Sequence, residues 1–173
     1  MFFYRMQNAT DEQKEVLRKV AGQGRTLIVP EGKTTIKENI GYFRKASQIH
    51  SWFVANIQDG NDDCKMYEFE REDLHKLEHT IEMVLNASKL IPGKVPTGYT
   101  LGKNRERIYS YRDGMVVENV KIAEKRLPTQ AGLCFGIESY DENYVGDLRE
   151  MLAIISIARS SPAGVWFAYE SSW

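Results

Sequence analysis

Apolar residues recur along this chain with two periods, and the switches between them divide it into elements. Phe2 to Met6 has the form of a short strand. Thr10, with Gln13 three residues on, forms a capping-box pattern that opens a helix through Val16, Leu17 and Val20 to Gly22 or Gly24. Thr26 to Val29 predicts a buried strand, ended by Pro30, which has no amide hydrogen for an interior ladder. From Thr35 the period changes: Ile36, Ile40, Phe43, Ala46, His50, Phe53 and Ile57 follow at steps of three and four and predict one long helix. Lys65 to Glu70 alternates as a half-buried strand does. Arg71 to Leu90 returns to helical spacing through Leu74, Leu77, Ile81, Val84 and Ser88.

In the second half, Pro92, Gly93, Pro96 and Gly98 predict broken structure, and Asp113-Gly114 between Ile108–Tyr111 and Met115–Val117 predicts a hairpin turn. Leu133 to Ile137 predicts a core strand, and Asp141 a cap for a final helix with the stripe Tyr144, Leu148, Met151 or Leu152, Ile155 and Ala158. Val165 to Tyr169 is apolar on both faces and belongs inside a sheet. The irregular alternation of strands and helices predicts one α+β domain over residues 1–173. Its sheet is mixed and mostly antiparallel and is covered by helices, and a basic β-hairpin projects from residues 93–126.

Composition narrows the classes more than it names one. The chain has 173 residues and a formal net charge of -1, so no overall field draws it to nucleic acid or anionic membrane. Met1 to Met6 is too short for a signal peptide's apolar region and no apolar run approaches a membrane span, which predicts a cytoplasmic protein, in the host cytoplasm if phage-encoded. Cys64 and Cys134 lie far apart beside apolar residues and are expected as reduced, buried thiols. There is no glycine-rich phosphate loop with lysine, no nucleophile elbow, no Cys-x-x-Cys and no His-Glu-x-x-His, so the familiar NTPase, serine hydrolase, zinc-site and zincin routes lack their parts.

The richest chemistry lies in residues 49–64, where a helix carrying His50, Trp52 and Asn56 runs into the acidic turn of Gln58, Asp59, Asp62 and Asp63. On the apolar stripe, His50 suits a core histidine tied to a backbone carbonyl as well as it suits a general base. The three aspartates can hold a divalent cation through oxygen, yet they lack the spacing and closing glutamate of a calcium loop, and aspartate and glycine are ordinary turn residues. His75 and His79 stand one helical turn apart without a third ligand nearby. Asp141 and Glu142 suit the start of a helix, while Tyr140 and Tyr144 suit a pocket wall or a core equally. Residues 94–126 carry eight basic side chains against four acidic ones, with Tyr99, Tyr109 and Tyr111 interleaved. Lys103, Arg105, Arg107 and Arg112 are the candidates there for nucleic-acid contacts, against a solvated hairpin as the plain alternative.

Tyr42–Ala46, the segment from Ile49 to Cys64, Leu127-Pro128-Thr129-Gln130, Phe135-Gly136, Tyr140-Asp141-Glu142 with Tyr144, and Ser171-Ser172-Trp173 together resemble a family of small bacterial and phage proteins of uncharacterised activity. Against that pattern, residues 93–126 are a long insert and 1–32 an extension. The resemblance implies that the acidic corner, the Gln130 segment and Trp173 form one constellation, and it carries no activity or cofactor with it. The expectation is a phage-type accessory or host-interaction protein that binds a small molecule or host protein without catalysis or cofactor. Its face would be built by His50, Trp52, Asn56, Gln58, Asp59, Asp62, Asp63, Gln130, Tyr140, Asp141 and Trp173. The alternatives are a phosphoester or nucleotide hydrolase with His50 as acid or base and Mg2+ on Asp59, Asp62 and Asp63, and nucleic-acid binding through the hairpin.

Overall fold

A computed structural model describes residues 1–21, 34–130 and 138–171. The strands expected at 26–29 and 133–137, together with Cys134 and Trp173, lie outside the described residues. In chain order the elements are β1 (Phe2–Asn8), α1 (Asp11–Ala21), β2 (Thr35–Tyr42), α2 (Ser47–Asn56), β3 (Met66–Phe69), α3 (Arg71–Ala87), β4 (Leu90–Leu101), β5 (Arg107–Val117), α4 (Lys121–Arg126), α5 (Glu142–Arg159) and β6 (Trp166–Glu170). Four strands form an antiparallel sheet in the order β2-β1-β6-β3, and β4 and β5 form a separate antiparallel pair, giving an α+β architecture.

Alternation decides which sheet face meets the helices. Phe3 pairs with Tyr169 and Phe69 with Phe167, and all four are buried. Their core includes Phe53 and Ile49 of α2, Leu77 and Ile81 of α3, and Leu148 and Ile155 of α5. Phe53 stacks on Tyr169 with centroids 4.3 Å apart. Each fully buried aromatic or aliphatic side chain contributes about 1.5–3 kcal/mol, so this layer dominates the hold of helices on sheet. β6 is interior, as its two apolar faces predict. The capping box at Thr10 is formed, with each residue's amide donating to the other's side chain at 2.9 and 3.2 Å. α3 buries Leu74, Leu77, Ile81 and Val84. On α5, the Asp141 carboxylate accepts the Asn143 and Tyr144 amides at 2.8 and 3.2 Å, and the expected stripe is buried.

The long helix from Thr35 is not formed. Residues 35–42 are β2, paired with β1 through Asn8↔Thr35 to Phe2↔Tyr42, and the helix begins only at Ser47. A step of four, as from Ile36 to Ile40, is even, so it satisfies strand alternation as well as helical repeat. β-Branched Thr34, Thr35 and Ile36 then favour the strand. Gly41 has a packing reason of its own: a Cβ there would sit 2.2 Å from Ile154 Cδ1 of α5.

The expected turn at Asp113-Gly114 is likewise corrected. β5 runs straight through it, with Asp113 opposite Lys94 and Gly114 opposite Gly93, and the hairpin turns at residues 102–105, where Arg105 is left-handed at φ 62°. Pro92, Gly93, Pro96 and Gly98 lie within β4, an edge strand that tolerates proline, with a bulge between Pro96 and Gly98. The glycine pair serves close approach, since a Cβ on Gly93 would lie 2.5 Å from Val116. Cys64 is exposed and left-handed at φ 57°, because it sits in the turn before β3 and not on an apolar face. Among the described residues no helix is long and apolar enough to cross a membrane.

Candidate functional site

The two ends of α2 carry different chemistry. At its C-terminal end the chain must satisfy the last helical carbonyls, and it does so with its own turn. Phe53 O accepts from the Ile57 and Gln58 amides, and Val54 O from Gly60 at 2.8 Å. That closure holds Asp59 and Gly60 in the left-handed region at φ 49° and 80°, which aspartate and glycine tolerate. Asn56 donates back to Trp52 O at 2.8 Å. Asp63 accepts from the Lys65 amide and the Tyr67 hydroxyl and pairs with Lys65 Nζ at 2.6 Å; the lysine holds its carboxyl below the usual range. The acidic corner is thus largely occupied by folding the turn.

His50 lies inside this region and is 1 % exposed. Its Nδ1 is 2.6 Å from the Tyr169 hydroxyl and its Nε2 is 3.1 Å from Asp62 Oδ2. A carboxylate only accepts, so Nε2 carries the hydrogen and donates to Asp62, while Nδ1 accepts from Tyr169. Burial lowers the imidazole pKa, with Asp62 opposing, and burial also raises that of the Tyr169 hydroxyl. Among the described residues, both ring nitrogens are thus met by side chains. Asp62, the outer member of the relay, is the one that reaches solvent. Gln58 is fully buried, and neither polar atom of its side chain finds a partner among the described residues. Among those residues no group of three His, Cys, Asp or Glu side chains gathers in a form that would hold a metal ion.

The N-terminal end of α2 opens instead onto a cleft of about 750 Å³ between the β2–α2 corner, Pro96 to Tyr99 of β4 and the first half of α5. Arg44, Lys45, Ser47 and Gln48 form one side, Asp147 and Glu150 the other, and the exposed rings of Tyr42 and Tyr99 stand among the lining. Gln48 Nε2 donates to Asp147 Oδ2 across the floor at 3.0 Å. Burial pushes the Asp147 carboxyl up to about 6, with Glu150 and Asp141 adding to the rise and the Gln48 bond opposing it. Asp147 is therefore a half-buried carboxylate that gains from any cation brought to it.

The residues singled out in the sequence divide between these places. Trp52 is in the core, edge-on to Phe53 at 5.2 Å, and His50 is beneath Tyr169. Gln58, Asp59, Asp62 and Asp63 belong to the C-terminal corner. Asp141 lines the cleft but spends its carboxylate on capping α5, and Glu142 bonds the Met115 amide and Arg112 at the hairpin base. Gln130 reaches the cleft region through its backbone, its amide donating to Ser47 Oγ at 3.0 Å, and Tyr140 receives the Thr129 amide at 3.2 Å while packing on Tyr144 at 5.0 Å. His75 and His79 are exposed on α3. Arg44, Lys45, Ser47, Gln48 and Asp147 were not anticipated. One signal for Asp147 was present in the sequence, a carboxylate set among the buried Tyr144, Val145 and Leu148.

Lys103 and Arg105 are at the hairpin tip, Arg107 just behind it, and Arg112 at the base, paired with Glu142 at 2.7 Å. No protein-family model, curated protein or solved structure matches this chain.

Proposed function

We propose that this protein acts by binding, as an accessory factor of the kind the sequence resemblance suggests, and that its ligand is a small zwitterionic molecule held in the cleft at the start of α2. The observation that carries this reading is the cleft's composition: cationic Arg44 and Lys45 oppose Asp147 and Glu150 within about 750 Å³. That volume falls in the range of small-molecule sites, roughly 300–1,000 Å³. A ligand's ammonium or guanidinium group would relieve the penalty of the half-buried Asp147 carboxylate, its anionic group would meet Arg44 and Lys45, and Tyr42 and Tyr99 would supply stacking area. A non-catalytic role is favoured by His50, whose two ring nitrogens are both engaged inside the protein. The hydrolase alternative draws instead on Asp59, Asp62 and Asp63 with Mg2+.

A thermal-shift panel of amino-acid-like zwitterions, nucleotides and divalent metals separates the readings. Stabilisation by a zwitterion that disappears in Asp147→Ala and Arg44→Ala is the expected result. Stabilisation by Mg2+ that disappears in Asp62→Ala, with no response to zwitterions, would overturn it.

A further inference from the structure

The β4–β5 hairpin is held at its base and projects beyond it, with Pro96 to Tyr99 passing along the rim of the cleft. Lys94 pairs with Asp113 at 2.7 Å and Arg112 with Glu142, while the Val117 amide donates to Tyr140 O at 2.9 Å. From Tyr99 to Ser110, by contrast, every residue but Gly102 is exposed. A two-stranded ribbon is marginal by itself, and large apolar side chains on it call for a partner. The register puts Tyr99 opposite Tyr109, Leu101 opposite Arg107, and Pro96 opposite Tyr111, so Tyr99, Tyr109 and Tyr111 share one face. Their centroids are 5.9 and 6.4 Å apart at interplanar angles of 58° and 45°, so the rings stand in series without stacking on one another. The Arg107 guanidinium lies 4.8 Å from the Tyr99 ring centre. At the tip, Lys103 and Arg105 are exposed, and the nearby Glu106 carboxylate is turned inward to accept the Asn104 amide at 2.9 Å.

We infer that this arm binds single-stranded nucleic acid, its three tyrosines stacking on successive bases and Lys103, Arg105 and Arg107 meeting the phosphates. Tilted, unstacked rings leave faces for bases, and base–aromatic stacking with a tracking row of cations is how strands are held without sequence readout. An acidic protein partner would use the cations and an apolar one the rings, whereas a face of rings that runs through Arg107 into a cationic tip suits a ligand carrying both bases and phosphates. The net charge of -1 confines the attraction to the arm, so the binding should be short-footprint and salt-sensitive. Only Tyr99 is shared with the cleft; Tyr109, Tyr111, Lys103, Arg105 and Arg107 are not part of its lining, so variants at these positions test the arm separately from the cleft.

The test is fluorescence-anisotropy titration of the full chain with oligo-dT and oligo-rU of about a dozen nucleotides, beside a duplex of equal length, across a salt series. Both single strands should bind more tightly than the duplex, with a log–log salt slope of about -2 for three phosphate contacts. Preference between the two strands identifies DNA or RNA as the source. Tyr99→Ala and Tyr109→Ala should each weaken binding about tenfold, Tyr99→Trp should retain it, and Lys103→Gln with Arg105→Gln should flatten the slope by about 1.4. These positions are exposed, so folding is not at stake, and an unchanged melting temperature checks it. Absence of salt-dependent binding, equal binding of duplex, or indifference to the tyrosine variants would overturn the inference, as would a protein partner whose binding needs only the cations.

Discussion

The two ends of α2 differ in who satisfies their polar groups. At the C-terminal end the carbonyls, Asn56, Asp63 and His50 are bonded by the turn, by Lys65 and by Tyr169 and Asp62. At the N-terminal end, Gln48 and Asp147 meet on the floor of an open cleft, where the carboxylate is held at a raised pKa by burial. A fold that spends its most chemically suggestive residues on itself leaves recognition to plainer ones. Residue type alone therefore points to the end of α2 opposite the cleft proposed as the binding site.

The contrast can be broken most severely at His50. His50→Ala removes a buried ring and takes away the acceptor of the Tyr169 hydroxyl, so it should cost about 3–4 kcal/mol in urea denaturation, while any fully folded fraction still binds cleft ligands. Because the native imidazole pKa is lowered from 6.5, the unfolded chain binds more protons below that pH. This group's contribution therefore falls as pH drops through about 6.5, a component that His50→Gln should lack in pH-dependent denaturation. Next in size, Gly41→Ala forces a methyl against Ile154 and should cost about 2 kcal/mol, shifting β2 and with it the Arg44–Lys45 wall.

Asp147→Asn should act in the opposite direction. The native carboxyl titrates near 6 against 3.8 when unfolded, so the folded state binds more protons between those values and stability falls as pH rises through them. Asparagine cannot ionise and can still accept from Gln48. The variant should melt higher than the parent at pH 7.5, and the difference should vanish below about pH 4. A gain that persisted at low pH would mean that burial of the charge is not the cause. Smallest of all, Asp63→Ala loses an exposed ion pair and the bonds from the Lys65 amide and Tyr67 hydroxyl, groups that water can satisfy, and should lower the denaturation midpoint only slightly, although the same corner looks richest in the sequence.

The α+β class, β1, β3, α3 and α5 with its Asp141 cap were legible from the spacing of apolar residues, β6 from being apolar on both faces, and the projecting basic hairpin from its two β-prone runs and its cations. The stretch 35–46 was not, since the Ile36–Ile40 step fits both periods and only pairing with β1 decides between them. Asp113-Gly114 has turn chemistry, yet the close packing of Gly93 against Val116 and the left-handed Arg105 moved the turn ten residues toward the tip. Of the proposed cleft, the sequence made the helix legible but not the end that opens onto it. Ser47, Gln48 and Asp147 are ordinary residues whose meaning comes from a contact between positions 99 apart in sequence.

The most direct test of the cleft assignment is a heteronuclear NMR titration with the zwitterion that gives the largest thermal shift. Amide signals of Ser47, Gln48, Tyr99 and Asp147 should move in a saturable way, while those of Asn56, Asp59, Asp62 and Asp63 stay in place. Saturable shifts centred on the Asp59–Asp63 turn, with a silent cleft, would contradict the account.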